Sequence, residues 1–221
     1  MDFAALERKT CAVAIDWKPY VREFRIPEGQ QSFDGGECMI FIPGLEQLNV
    51  DEDMWSHVTE MAQQRKVDDE VLLDVQHRAA ENGRWDVVYA ISVLAGLETS
   101  VLIDAENVIS IDWGTSGFVQ LSPPVGCIAP FKLWVHTHPG FSAYWSGTDT
   151  RSLSIGIGIV EKAMVLGLPG VKCAHNATML PLAEETPRIG NNGPLNDWSD
   201  EDIISWADWY ESNLSTQGVR A

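Results

Sequence analysis

One stretch limits what this chain can become: Trp134-Val-His-Thr-His-Pro-Gly-Phe-Ser-Ala-Tyr-Trp-Ser-Gly-Thr-Asp149. His136 and His138 are two residues apart, and in a strand such side chains point to one face. A strand through here presents two imidazoles side by side. Pro139 has no N–H for a sheet ladder, so it is expected to end that strand. A loop of small and aromatic residues follows, and Ser146-Gly-Thr-Asp149 then reads as a helix start with Ser146 at the N-cap. Two imidazoles and one carboxylate, on a strand end and a helix start joined by a short loop, form a catalytic zinc set. Such sites take three protein ligands and leave the fourth position open.

Each piece alone has an ordinary explanation. An exposed strand face accounts for a His-x-His pair, and Ser-x-x-Asp is a relative of the capping box. The whole run His136-x-His138-Pro139, six residues, then Ser146-x-x-Asp149 is more specific. It resembles the signature of the JAMM (JAB/MPN) zinc metallopeptidases. The resemblance implies Zn2+ held by His136, His138 and Asp149, with Ser146 hydrogen-bonding the oxyanion of a tetrahedral intermediate. It also implies an α+β, JAB/MPN-like (cytidine-deaminase-like) curved sheet flanked by helices.

In that family a glutamate, the general base, sits where the first helix turns into the first central strand. Here the helix pattern of Val67–Ala80 stops at Asn82-Gly83, and the apolar run Val87–Ala95 reads as a buried strand. The matching position is then Asp86, the expected base, one methylene shorter than the family's residue. Glu81 and Glu98 would serve only under a different alignment of that strand.

Further strands are expected at Val101–Asp104, Val108–Asp112, Gly117–Leu121 and Phe131–Val135, and a hairpin at 162–168 and 171–174. Residues 67–185 thus form the expected hydrolase core. Residues 1–66 are an extension, with short strands at Cys11–Ile15 and Cys38–Ile42 and a helix at Asp51–Gln64. Residues 186–221 supply a polar linker and a helix over Asp197–Glu211, capped by Ser199, with Trp206, Trp209, Tyr210 and Ile203 on one face.

At 221 residues the chain can bury a sizeable core. Its formal charge of −17 disfavours nucleic acid and anionic membrane as partners. No apolar run reaches the roughly 20 residues of a membrane span. The N-terminus lacks a signal-peptide layout, and Cys11, Cys38, Cys127 and Cys173 are scattered, so a cytoplasmic protein with reduced thiols is expected. The resemblance implies a protein or peptide substrate, including conjugates of ubiquitin-like modifiers. Two other readings share the fold. Some MPN relatives are scaffolds that have lost zinc ligands, whereas all three ligand types are present here. RadC-like relatives also carry a His-x-His-Pro run, and the acidic charge argues against that reading.

Overall fold

The computed structural model describes residues 42–213. The strand expected at Cys11–Ile15, and all but the last residue of that at Cys38–Ile42, lie outside the described residues. Five α-helices and six strands follow in order. Helix α1 (Glu52–Gln63) begins at Asp51, whose carboxylate accepts the Met54 N–H at 2.8 Å. Helix α2 (Glu70–Glu81) begins at Asp69, which accepts the Val71 and Leu72 N–H groups. Each cap satisfies N–H groups that the first helical turn leaves unpaired.

The run expected as a central strand at Val87–Ala95 is helix α3 (Trp85–Ala95). A continuous apolar run does not distinguish a buried strand from a helix that is buried all round. Here α3 lies between α1, α2 and the sheet, and nine of its eleven residues are buried. Gly96 ends it in the left-handed region at φ 60°, which favours glycine.

The sheet comprises β1 (Thr99–Ile103), β2 (Ile109–Trp113), β3 (Leu133–Ser142), β4 (Lys162–Leu168), β5 (Gly170–His175) and β6 (Ile204–Ser205). Its order is β2-β1-β3-β4-β5-β6. Only the β3–β4 pair is parallel. Parallel neighbours need a crossover, and helix α4 (Gly147–Gly156) supplies it. The fold is therefore α+β with a mixed, open, six-stranded sheet.

Alternation along the strands separates two cores. Val101, Val135, Met164 and Leu166 face α1–α3, while Leu102, Trp134 and Ala163 face the α4 side with Leu153 and Trp198. Residues of α1, including Trp55 and Val58, belong to the same core as α2 and α3. The hairpin expected at 162–174 is present as β4 and β5.

Three further expectations are corrected. Pro139 does not end its strand: β3 runs on to Ser142, and its register with β4 shifts between Thr137 and Ser142. A missing N–H is tolerated at such an irregularity. Gly117–Leu121 is not a strand and carries only an isolated bridge between Thr115 and Phe118. The C-terminal helix is shorter than expected, α5 (Trp206–Asn213). Ser199 is not its cap, because its hydroxyl accepts the His175 N–H at 2.7 Å and donates to Glu201 at 3.1 Å. Ser205 takes that role, accepting the Asp208 N–H. Trp206, Trp209 and Tyr210 are buried as one face, but Ile203 stays 38% exposed outside it. Among the described residues, no helix is long and apolar enough to cross a membrane.

Candidate metal centre

Strand β3 turns His136 and His138 to the α4 side of the sheet, and the first turn of α4 brings Asp149 to them. All three are buried, and one ligand atom from each lies within 4.8 Å of the others. The helix start is fixed by a capping box. The Asp149 carboxylate accepts the Ser146 N–H at 2.7 Å, and the Ser146 hydroxyl accepts the Asp149 N–H at 3.3 Å. The cap read from the sequence is thus present, and it orients the carboxylate as well as starting the helix.

Several details fit a bound metal ion. His136 Nε2 lies 2.9 Å from Asp149 Oδ1, and His138 Nε2 lies 3.4 Å from Asp149 Oδ2. Yet His136 Nε2 has no hydrogen-bond partner, so the ring is not aligned to donate to that oxygen. Donor atoms that close, one of them without a hydrogen bond, can share a metal ion. Bonds of about 2.0–2.1 Å in tetrahedral geometry put neighbouring ligand atoms about 3.4 Å apart. The second imidazole is held by its other nitrogen, since His138 Nδ1 lies 3.1 Å from the Ser142 carbonyl. A carbonyl only accepts, so Nδ1 carries the proton and Nε2 keeps its lone pair for a ligand. His136 is packed rather than hydrogen-bonded, with the Trp134 ring stacked on it at 4.6 Å. Trp134 is itself anchored by donating Nε1–H to the Ser100 hydroxyl at 3.0 Å.

The electrostatics favour an ionised Asp149 and a neutral His136. Burial would raise the Asp149 pKa, but contact with His136 and His138 and the hydrogen bond to Ser146 hold it far below the ordinary carboxylate range. Burial lowers the pKa of His136 against the pull of Asp149. Burial also opposes charge on His138, but there Asp149, the Ser142 carbonyl and Glu98 raise it.

Asp86, the base expected from the sequence, is elsewhere. It lies fully buried in the first turn of α3. Its two oxygens accept from Arg84 Nε and Nη2 at 2.9 and 2.8 Å, and Oδ2 also accepts the Tyr210 hydroxyl at 2.8 Å. This is a structural tie between residues 43–44, α3 and α5, because Arg84 also donates to the carbonyls of Pro43 and Gly44. Glu81 closes α2 at the surface beside His77.

The carboxylate beside the metal-ligand group is Glu98. It occupies the link between α3 and β1 and is 6% exposed. The β1–β3 register pairs Ser100 with His136, and continuing it by two residues sets Glu98 opposite His138 on the same face. Burial pushes its carboxyl up to about 7, with the Asp149 charge adding to the rise and His138 and the Val119 N–H opposing it. The link is clasped by hydroxyls. Ser92 Oγ donates to the Leu97 carbonyl at 2.6 Å, Thr137 Oγ1 bonds Ser92 Oγ at 2.5 Å, and Thr137 Oγ1 accepts the Thr99 N–H at 2.8 Å. The residue between the two histidines thereby fixes the backbone next to Glu98. The signal that marks Glu98 in the sequence is Gly96. A glycine after eleven helix-competent residues reads as a helix stop, which makes Glu98 the head of the first strand.

Comparison with family models, with curated proteins and with solved structures returns no match to this chain. The buried His136, His138 and Asp149 group can hold a metal ion, and that statement rests on its own geometry.

Proposed function

We propose that this chain is a zinc hydrolase of the JAMM type, on a JAB/MPN-like fold, that cleaves peptide or isopeptide bonds. One observation carries the reading. Glu98, at the point where a helix turns into the first central strand, shares a sheet face with His136 and His138 and acts electrostatically on His138. That is the setting the resemblance implies for the family's glutamate. Two imidazoles and one carboxylate suit zinc better than magnesium or calcium, which favour oxygen ligands.

A bound zinc ion would polarise a carbonyl and lower the pKa of water. The remaining work belongs to the chain's own side chains. Glu98 accepts a proton from the attacking water and passes it to the leaving nitrogen as the C–N bond breaks. Its buried position beside His138 and Asp149 places it for both halves of that transfer. Ser146 Oγ uses a lone pair on the Asp149 N–H, so its O–H remains free to donate to the carbonyl oxygen as charge develops there. One such donor is worth about 3 kcal/mol. The half-exposed Tyr144 ring, edge-on to His138 at 5.0 Å, forms part of the rim where a substrate would enter.

The test has two arms. Protein purified without chelator should carry about one zinc per chain, and His138→Ala should lose it. Zinc-loaded protein should hydrolyse peptide or isopeptide substrates, and Glu98→Gln should keep the metal while losing the activity. A wild-type protein that stays zinc-free after zinc is added back would end this reading.

A further inference from the structure

Resting on the hydrolase reading, we infer that a cleft beside the metal-ligand group binds a carboxylate-bearing residue of a peptide substrate, with Arg151 as its anchor. A cleft of about 360 Å³ opens between two segments that each also supply a contact to the site. On one side, the Val119 N–H reaches Glu98, while Phe118 and Gln120, its neighbours in sequence, line the cleft. On the other, Asp149 belongs to the ligand group, while Thr148 and Arg151 line the cleft. The Leu121 N–H bonds Ser152 Oγ at 3.4 Å and ties the two walls together at its base.

The chemistry of the walls selects an occupant. Phe118 and Ile155 are 48% and 68% exposed and offer apolar contact to a side-chain stem. Arg151 is exposed and has no ion pair or hydrogen bond among the described residues. None of the cleft's lining residues is acidic, on a chain with 32 Asp and Glu against 15 Lys and Arg. The field of such a chain repels anions in general, so a substrate carboxylate is held only where a local cation offsets it. A guanidinium does this with two parallel N–H donors matched to the two carboxylate oxygens. The cleft volume suits one or two residues rather than a folded domain. The substrate class is therefore a peptide with a carboxylate close to the scissile bond, supplied either by an acidic side chain or by the chain end.

Three probes separate these sources: acetyl-Leu-Gln with a free C-terminus, acetyl-Leu-Glu amide, and acetyl-Leu-Gln amide, which has neither carboxylate. Binding to the full-length protein is measured by calorimetry, without turnover. At least one carboxylate peptide should bind about 10- to 100-fold tighter than the neutral amide, as a charged hydrogen-bonded contact provides. The peptide that gains identifies the source. Arg151→Gln should reduce its affinity to that of the neutral amide and, since the side chain is exposed, should melt like the wild type. Equal binding of all three probes, no binding of any, or a preference that survives in Arg151→Gln would each overturn the assignment. Absence of hydrolysis by zinc-loaded protein would count against the hydrolase reading instead, so the two failures are distinguishable.

Discussion

Asp86 and Glu98, both buried carboxylates, have opposite duties at the single-residue level, the first structural and the second proposed as the general base. Asp86 neutralises Arg84 inside the core, and Tyr210 completes its hydrogen bonding. Burial and the adjacent Asp86 charge hold the Tyr210 phenol protonated well above its ordinary range. Removing one partner of a buried ion pair leaves the other uncompensated and costs about 3–5 kcal/mol. Asp86→Asn should therefore lower stability by about that amount in a denaturant melt, while refolded protein keeps its full zinc content. Zinc loss at unchanged stability would instead restore Asp86 to the site. A third carboxylate, Asp104, contributes to the acid limb of the stability curve. Burial would raise its pKa, but the N–H groups of Val108, Ile128 and Glu106 bring it below the ordinary value. A group depressed on folding adds stability above its unfolded pKa, and that stability is lost as pH falls through the folded value. Asp104→Asn should be less stable at neutral pH and show a shallower decline below about pH 4, read from thermal midpoints across an acid series. An unchanged acid limb would mean that the N–H groups around Asp104 do not favour its charge.

Among the secondary-structure elements, the junction of α3, β1 and β3 decides whether Glu98 faces the histidines. Thr137 Oγ1 is the shared member, accepting from Thr99 and bonding Ser92. Thr137→Val keeps the shape and removes the hydroxyl, leaving the buried Thr99 N–H without its acceptor, at about 1–3 kcal/mol. Hydrolysis by the zinc-loaded variant should fall, because the backbone beside Glu98 is released, while the zinc content stays near that of the wild type. Activity equal to the wild type would mean that other contacts hold the link. The same junction explains which elements were legible in the sequence. The cap at Ser146, the existence of α1 and α2, the β4–β5 hairpin and the grouping of His136, His138 and Asp149 were readable, because each rests on local spacing or local hydrogen bonds, whereas the caps at Asp51 and Asp69 were read as part of their helices. The α3 run was not, since Val87–Ala95 is apolar all round and its burial comes from α1, α2 and the sheet together. That reading moved the expected base to Asp86 and left Glu98 only as an alternative under a different alignment. The start of α5 was misplaced for a similar reason: the Ser199 hydroxyl serves His175, 24 residues away, and no local pattern reports such a partner.

For the whole molecule, charge is the dominant unbalanced quantity. With 32 acidic and 15 basic side chains, many carboxylates have no basic partner even if every Lys and Arg is paired. The ion pairs that do form at the surface, such as Arg78 with Asp74 and Lys172 with Asp200, join partly exposed groups. Pairs of this kind contribute about 0–1 kcal/mol each. Salt therefore acts in two directions, weakening these few attractions and screening a much larger sum of repulsions. The Debye length is about 10 Å at 0.1 M and about 3 Å at 1 M, so the long-range repulsions are the first to be screened. Net repulsion should win, and the thermal midpoint of metal-free protein at neutral pH should rise as sodium chloride increases from about 0.02 to about 0.3 M. Most of the rise should fall in the lower half of that interval, where screening length changes fastest. The buried Arg84–Asp86 pair is shielded from solvent and should contribute nothing to this slope, so Asp86→Asn should shift the curve down without changing its steepness. A midpoint that falls with salt would show that surface pairing, rather than excess negative charge, controls the stability of this chain.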